Sequence, residues 1–112
     1  MVNKSIHRAL QGYLEAVKPG DDNFLFEGRS GRTPITIQRV NQMIKSWTRA
    51  INLKGNYGAH TLRKTFGYMQ RKRFGIGFEV LAKRFNHSSP AITMRYLGIQ
   101  ADEVNGILLN EI

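Results

Sequence analysis

Wherever this chain shows a pattern, its apolar residues fall three or four apart, and no run alternates long enough for a sheet. That period lines one face of an α-helix, so these 112 residues can build a core only by packing helices together. Ile6, Leu10, Tyr13, Leu14 and Val17 predict an amphipathic helix over residues 5–17 with one buried stripe. Ser5 is its expected N-cap and Pro19-Gly20-Asp21-Asp22 its stop. Phe24-Leu25-Phe26 is a short apolar anchor, and any β pairing for it is expected from outside the chain. Glu27 to Pro34, rich in Gly and Arg, reads as an exposed loop. Thr36 can cap a second helix from about Ile37 to Ile51, striped by Val40, Met43 or Ile44, Trp47 and Ile51.

After the break at Asn52 to Gly58, a third helix is expected from near Thr61 to about Lys72, with Leu62 and Phe66 pointing into the core. Gly75 and Gly77 punctuate it, and Phe78 to Phe85 makes a short fourth helix around Leu81. Asn86, His87 and Ser88 form a turn. Ser89-Pro90 is a strong start signal, because serine caps and proline at the first helical position loses no hydrogen bond. The helix begun there ends around Tyr96, since Gly98 follows. A last helix, Asp102 to about Leu109, carries Val104, Ile107 and Leu108 on one face, with Asp102 and Glu103 suited to its N-terminal end. No repeat and no long linker interrupts the series, which predicts a mainly α fold in one domain or a piece of one, with at most a short β segment.

Charge narrows the partners. Lys and Arg number 17 against 8 Asp and Glu, a formal net charge of +9, which favours a polyanion such as nucleic acid or an anionic membrane surface. The absence of cysteine excludes disulfides, thiol chemistry and thiolate zinc sites, and His7, His60 and His87 lack metal-ligand spacing. No apolar run is long enough to span a bilayer, and Met1-Val2-Asn3-Lys4-Ser5 lacks the apolar stretch of a secretory signal, so an intracellular location is expected.

Two clusters carry chemistry: His60-Thr61-Leu62-Arg63, and Asn86-His87-Ser88-Ser89-Pro90 with Tyr96 nine residues after His87. His60 and Arg63 lie three apart at a helix start, so they share a face beside unpaired backbone donors that favour an anion. A guanidinium can hold a phosphate in a bidentate fork, an imidazole can donate to it or move a proton, and a phenol can attack it. H-x-x-R by itself is weak, equally compatible with a surface arginine and a capping histidine. Tyr96 taken singly reads as a half-buried aromatic with its hydroxyl satisfied.

The order and spacing of these residues resemble the C-terminal catalytic half of the tyrosine recombinases, the phage integrase and Xer-like family. There a histidine and an arginine three residues on open a helix and are followed by a threonine and an aromatic, as Thr65 and Phe66 follow here. A leucine-glycine-histidine-serine stretch is matched by Phe85-Asn86-His87-Ser88, and a threonine and nucleophilic tyrosine by Thr93 and Tyr96. Residues 5–53 fit more loosely. The resemblance implies that residues 1–112 are part of a catalytic domain that cuts and rejoins duplex DNA through a 3′-phosphotyrosyl link, with no cofactor and no metal. It makes Tyr96 the nucleophile, places Arg63 and His87 on the phosphate, and gives His60 phosphate binding or proton transfer. Arg95, Lys64, Arg84, Lys83 and Arg32 become candidate backbone contacts, with Arg95 weighted by its place beside Tyr96. It further implies tetramers on DNA, with Asp102 to Ile112 as a segment packing on a neighbour, and a cytoplasmic, nucleoid-associated location.

One departure is the Phe85-Asn86 pair in place of leucine-glycine. Another is that the family's upstream arginine and hairpin lysine have no match among residues 1–112, so this stretch is expected to bind DNA but to be inactive alone. The alternatives are a non-catalytic DNA-binding or regulatory protein on the same partial fold, and an unrelated basic helical domain. A type IB topoisomerase shares the chemistry, but the arginine-helix spacing looks more like an integrase.

Overall fold

The computed structural model of the protein describes residues 1–107, 109 and 110. Among them run α1 Lys4–Val17, α2 Ile37–Ala50, α3 Ala59–Phe74, α4 Phe78–Phe85, α5 Pro90–Leu97 and α6 Gln100–Ile107. Extended pairing among the described residues is limited to a single antiparallel bridge between Glu27 and Pro34. The fold is mainly helical, and it divides into two compact units, Met1–Met43 and Ile44–Ile112.

In the first unit α1 starts one residue earlier than expected. Its cap is Asn3, whose side chain accepts from the Ile6 N–H at 2.9 Å, so Ser5 lies inside the helix. Lys18, in the left-handed region at φ 48°, closes the other end by donating its N–H to Leu14 O. Tyr13 joins the helix to the following segment: its ring lies 5.2 Å from Phe26 and its hydroxyl donates to Leu25 O at 2.9 Å. The rest of the stripe is not buried. Ile6 is 48% exposed, and Leu14 and Val17 are similar, because the short segment packed here covers only the Tyr13 side.

The apolar anchor finds its partner within the chain, contrary to expectation. Ile35 donates to Phe26 O and Gly28 to Thr33 O, which makes Glu27 to Pro34 a small ordered loop. Gly31 turns it at φ 68°. Thr36 caps α2 as expected, its hydroxyl accepting from Arg39 N–H at 3.1 Å.

The second unit is built from punctuation. Gly58 caps α3, which begins at Ala59, two residues before Thr61, and the Thr61 hydroxyl reaches back to accept from the Gly58 N–H at 3.1 Å, so threonine acts from inside the first turn. Gly75, at φ 63°, ends that helix. Asn86, at φ 58° and ψ 40°, ends α4, and beyond it the His87 N–H returns to Ala82 O at 2.9 Å. Here asparagine does what glycine does in most such caps. Ser89 and Pro90 open α5 as expected, and Gly98 closes it at φ 70°.

Among the described residues, the buried apolar side chains of this unit are Ile44, Leu81, Ala82, Phe85 and Ile99, joined by the hydroxyl side chain of Thr93. α5 packs chiefly on α4 and more lightly on α3. Leu62 and Phe66, expected in the core, are 53% and 45% exposed. The place they were assigned is taken by Gly67, which is buried and lets α4 and α5 approach α3 closely. A Cβ on residue 67 would lie 2.6 Å from the Phe85 ring and 2.9 Å from Leu97.

α6 starts at Gln100, two residues before the expected Asp102, while Leu108 and residues 111 and 112 lie outside the described residues. It is tied to α3 by Arg71, whose guanidinium meets the Glu103 carboxylate at 2.7 Å while also donating to Ile76 O. Arg71 stacks on Phe78 as well, at 4.6 Å, so this arginine is a structural tie.

Gly67→Ala gains about 1 kcal/mol of helix propensity but overfills the contact, at a cost of roughly 1–3 kcal/mol. The expected outcome in urea is a lower midpoint with unchanged slope. Glu103 supplies a pH test. The hydrogen bonds from Arg71, helped by the charges of Arg71 and Lys72 and opposed by burial, hold its carboxyl below the ordinary glutamate range. A depressed folded value means the tie contributes fully above about pH 4.3, the unfolded glutamate value, and is lost as pH falls through the lower folded value. Amide exchange in α6 should therefore accelerate on acidification, and Glu103→Gln should remove most of that acid dependence.

Candidate catalytic cluster

Phe85, the last residue of α4, is the centre of the candidate site. Three of the four residues singled out in the sequence gather on it. Arg63 reaches across from α3, its guanidinium carbon 4.7 Å from the Phe85 ring centre and its Nη2 donating to Phe85 O at 2.7 Å. A cation at the carbonyl end of a helix is favourably placed, and a single bond leaves most of the guanidinium fork available. His87, two residues on, lies with its ring centre 5.4 Å from Phe85. Tyr96, near the end of α5, lies 5.6 Å from Phe85 and 5.1 Å from His87, meeting both edge to face.

The local sequence explains the convergence. Asn86 reverses the chain directly after Phe85, so His87 folds back beside the ring it follows. Ser89-Pro90 then starts α5 at once, and Tyr96 falls on the turn of α5 that faces α4. His87 is held in turn by a 2.9 Å hydrogen bond between its Nδ1 and the hydroxyl of Thr93.

His60 is exposed on the first turn of α3 and takes no part in the hydrogen bond and ring contacts that gather the other three. Lys64, next to Arg63, holds its ammonium 5.1 Å from the Tyr96 ring centre, within cation–π range. Lys83, Arg84 and Arg95 are exposed on α4 and α5. Arg32 is exposed in the loop of the first unit. That unit has a cavity of about 340 Å³ lined by Arg29, Thr33, Thr36, Gln38 and Arg39 among others.

The hydroxyl of Tyr96 is buried and has no hydrogen-bond partner among the described residues. Such an atom is rare in a folded protein and costs about 1–3 kcal/mol. The sequence pointed to Tyr96 but not to this, and its bland reading had the hydroxyl satisfied. It also gave no weight to Phe85, which reads as one more apolar residue at the end of a short helix.

In this basic helical unit an arginine, a histidine and a tyrosine thus converge on one aromatic ring. The chain belongs to the phage integrase family, whose model it matches over residues 1–103. It is 35% identical over 102 residues to the Probable integrase/recombinase YoeC of Bacillus subtilis (strain 168). That alignment covers 91% of this chain and 54% of YoeC, so the chain spans about half the length of the curated relative it matches. No solved structure matches the chain. Among the described residues no helix is long and apolar enough to cross a membrane.

If the Tyr96 hydroxyl is an orphan, removing it should stabilise the fold. Tyr96→Phe is expected to raise the unfolding free energy by about 1 kcal/mol or more, read as a higher urea midpoint at constant slope. A drop in stability would mean that the oxygen has a partner.

Proposed function

We propose that this chain is the part of a tyrosine recombinase that supplies the nucleophile and one wall of the phosphate site, in a protein that cuts and rejoins duplex DNA. The observation that carries the proposal is the gathering of Arg63, His87 and Tyr96 around Phe85, with a buried hydroxyl lacking a partner on the tyrosine. Membership of the phage integrase family supports it.

In this reading the Tyr96 oxygen attacks the scissile phosphorus, forming a 3′-phosphotyrosyl ester as the bond to the 5′-oxygen breaks. The phenolic proton leaves Tyr96, and a proton reaches the departing 5′-oxygen. Attack by another strand's 5′-hydroxyl reverses the step and returns the tyrosine, so the exchange needs no cofactor. Arg63 places positive charge on the non-bridging oxygens, where it counts most as the phosphate becomes pentacoordinate. His87 donates a hydrogen bond to the same oxygens, and His60 binds the phosphate or assists proton transfer. Because the Tyr96 hydroxyl faces inward, attack requires the ring or α5 to move as DNA binds.

Lys64, Lys83, Arg84, Arg95 and Arg32 line the DNA backbone and contribute affinity rather than sequence reading. Strand exchange itself takes place in a tetramer on two duplexes, with the segment from Asp102 onward as a contact between neighbours. Two groups expected by resemblance, a second arginine and a lysine that protonates the leaving oxygen, find no counterpart in residues 1–112. An absent general acid alone costs roughly 10²–10⁴-fold, so residues 1–112 by themselves are proposed to bind DNA without completing exchange.

Duplex binding by residues 1–112 should weaken steeply with salt, by roughly 10³-fold or more between 50 and 200 mM if 6–10 phosphates are contacted. Salt-independent binding would contradict the backbone reading. In a chain that carries the complete set, a nicked substrate bearing the attachment site traps the covalent complex on a denaturing gel. There Tyr96→Phe should abolish the trapped band and leave DNA affinity near normal, while Arg63→Ala should lose cleavage far more than binding. A Tyr96→Phe protein that still cleaves would remove Tyr96 as nucleophile, and binding with no trapping by any form would favour a DNA-binding protein without catalysis.

A further inference from the structure

We infer that Thr93 is a positioning residue that fixes His87 as the Nε2–H tautomer, and so determines which ring nitrogen can donate to a bound oxyanion. The inference deepens the proposed function, since it rests on His87 as the phosphate's hydrogen-bond donor. Two observations carry it. Thr93 is 0% exposed, and its hydroxyl lies 2.9 Å from His87 Nδ1.

A neutral imidazole carries its proton on one nitrogen, and the bond made by the other nitrogen decides which. A helical threonine ordinarily disposes of its hydroxyl proton on the carbonyl three or four residues back. Thr48 and Thr65 both do so in this protein, onto Ile44 and Thr61. Thr93 does not: among the described residues its hydroxyl meets His87 Nδ1 alone. With water excluded, a Thr93 hydroxyl that accepted from Nδ1–H would leave its own proton buried without an acceptor. Donation from the hydroxyl to Nδ1 satisfies both atoms. Nδ1 is then the bare nitrogen, and the proton sits on Nε2, on the far side of the ring from Thr93.

The ring has little freedom to escape this arrangement. The turn at Asn86 sets its backbone, Phe85 and Tyr96 flank it at 5.4 and 5.1 Å, and Thr93 lies on the same short helix as Tyr96. One hydroxyl in α5 thus couples the orientation of the histidine to the helix that bears the tyrosine. No bound group is needed for the tautomer to be set, which makes the inference testable on the isolated chain.

The test is long-range ¹H–¹⁵N NMR of residues 1–112 with ¹⁵N-labelled histidine, at a pH where His87 is neutral. The expected result is a single His87 tautomer protonated at Nε2. Thr93→Val, which keeps the shape and removes the hydroxyl, should give a tautomer mixture, and Thr93→Ser should restore the wild-type pattern. A wild-type ring protonated at Nδ1, or an unchanged pattern in a folded Thr93→Val protein, would overturn the inference. If Thr93→Val does not fold, the wild-type and Thr93→Ser spectra still decide it.

Titration with inorganic phosphate separates this from the site reading. Phosphate should move the Nε2–H signal in wild type, with the apparent affinity roughly 10–100-fold weaker in Thr93→Val, taking as the scale what a metal-ligating histidine loses with the partner that orients it. A correct tautomer with no response to phosphate at His87 would overturn the role of His87 as phosphate donor and leave the Thr93–His87 hydrogen-bond direction supported.

Discussion

The ring of Phe85 can sit where it does because residue 67 has no side chain. With a Cβ missing from the buried face of α3, the ring and Leu97 close onto the helix backbone, and α4 and α5 settle against α3. The same residue offers its carbonyl to Arg63 and its ring faces to Arg63, His87 and Tyr96. Packing and the candidate chemistry therefore share one side chain. A change that loosens Phe85 would disperse the three residues around it, and a ring stacked at such distances leaves few alternative arrangements for them.

Much of the helical framework was legible because capping chemistry is local. Pro90 after Ser89, Thr36 before Ile37, and glycine at 75 and 98 mark boundaries that need no knowledge of the rest of the chain. α4 was bounded correctly for the same reason, between Gly77 and Asn86. Boundaries blurred where two good caps compete: Asn3 and Ser5 are comparable acceptors, and only the geometry of the Ile6 N–H decides between them. Burial was harder to read. Periodicity shows which side chains share a face, but not whether a partner covers that face, and Ile6, Leu62 and Phe66 remain about half exposed.

For the candidate site, spacing in the chain brought His60, Arg63, His87 and Tyr96 to attention, and the fold gathers the last three. Their roles in catalysis are our reading. The contacts that organise the cluster left no readable trace, because each depends on separation in space. Phe85 and Gly67 lie on different helices, and the Thr93–His87 bond depends on where a buried hydroxyl can send its proton. Arg71 teaches the same lesson in reverse: a residue inside a basic run, easily taken for solvated surface, is tied to Glu103 more than thirty positions away.

Residue 86 bears on how such a chain can diversify. At φ 58° and ψ 40° it occupies a region that glycine enters without strain and asparagine at small cost, whereas β-branched and bulky side chains are strongly disfavoured there. The position thus works as a narrow gate in sequence space. Descendants that pass through it by substituting glycine would keep the geometry while giving the unfolded chain more freedom to lose on folding. Lineages that drift to valine or isoleucine would have to re-form the turn, and His87 would be the first side chain carried off its present bearing.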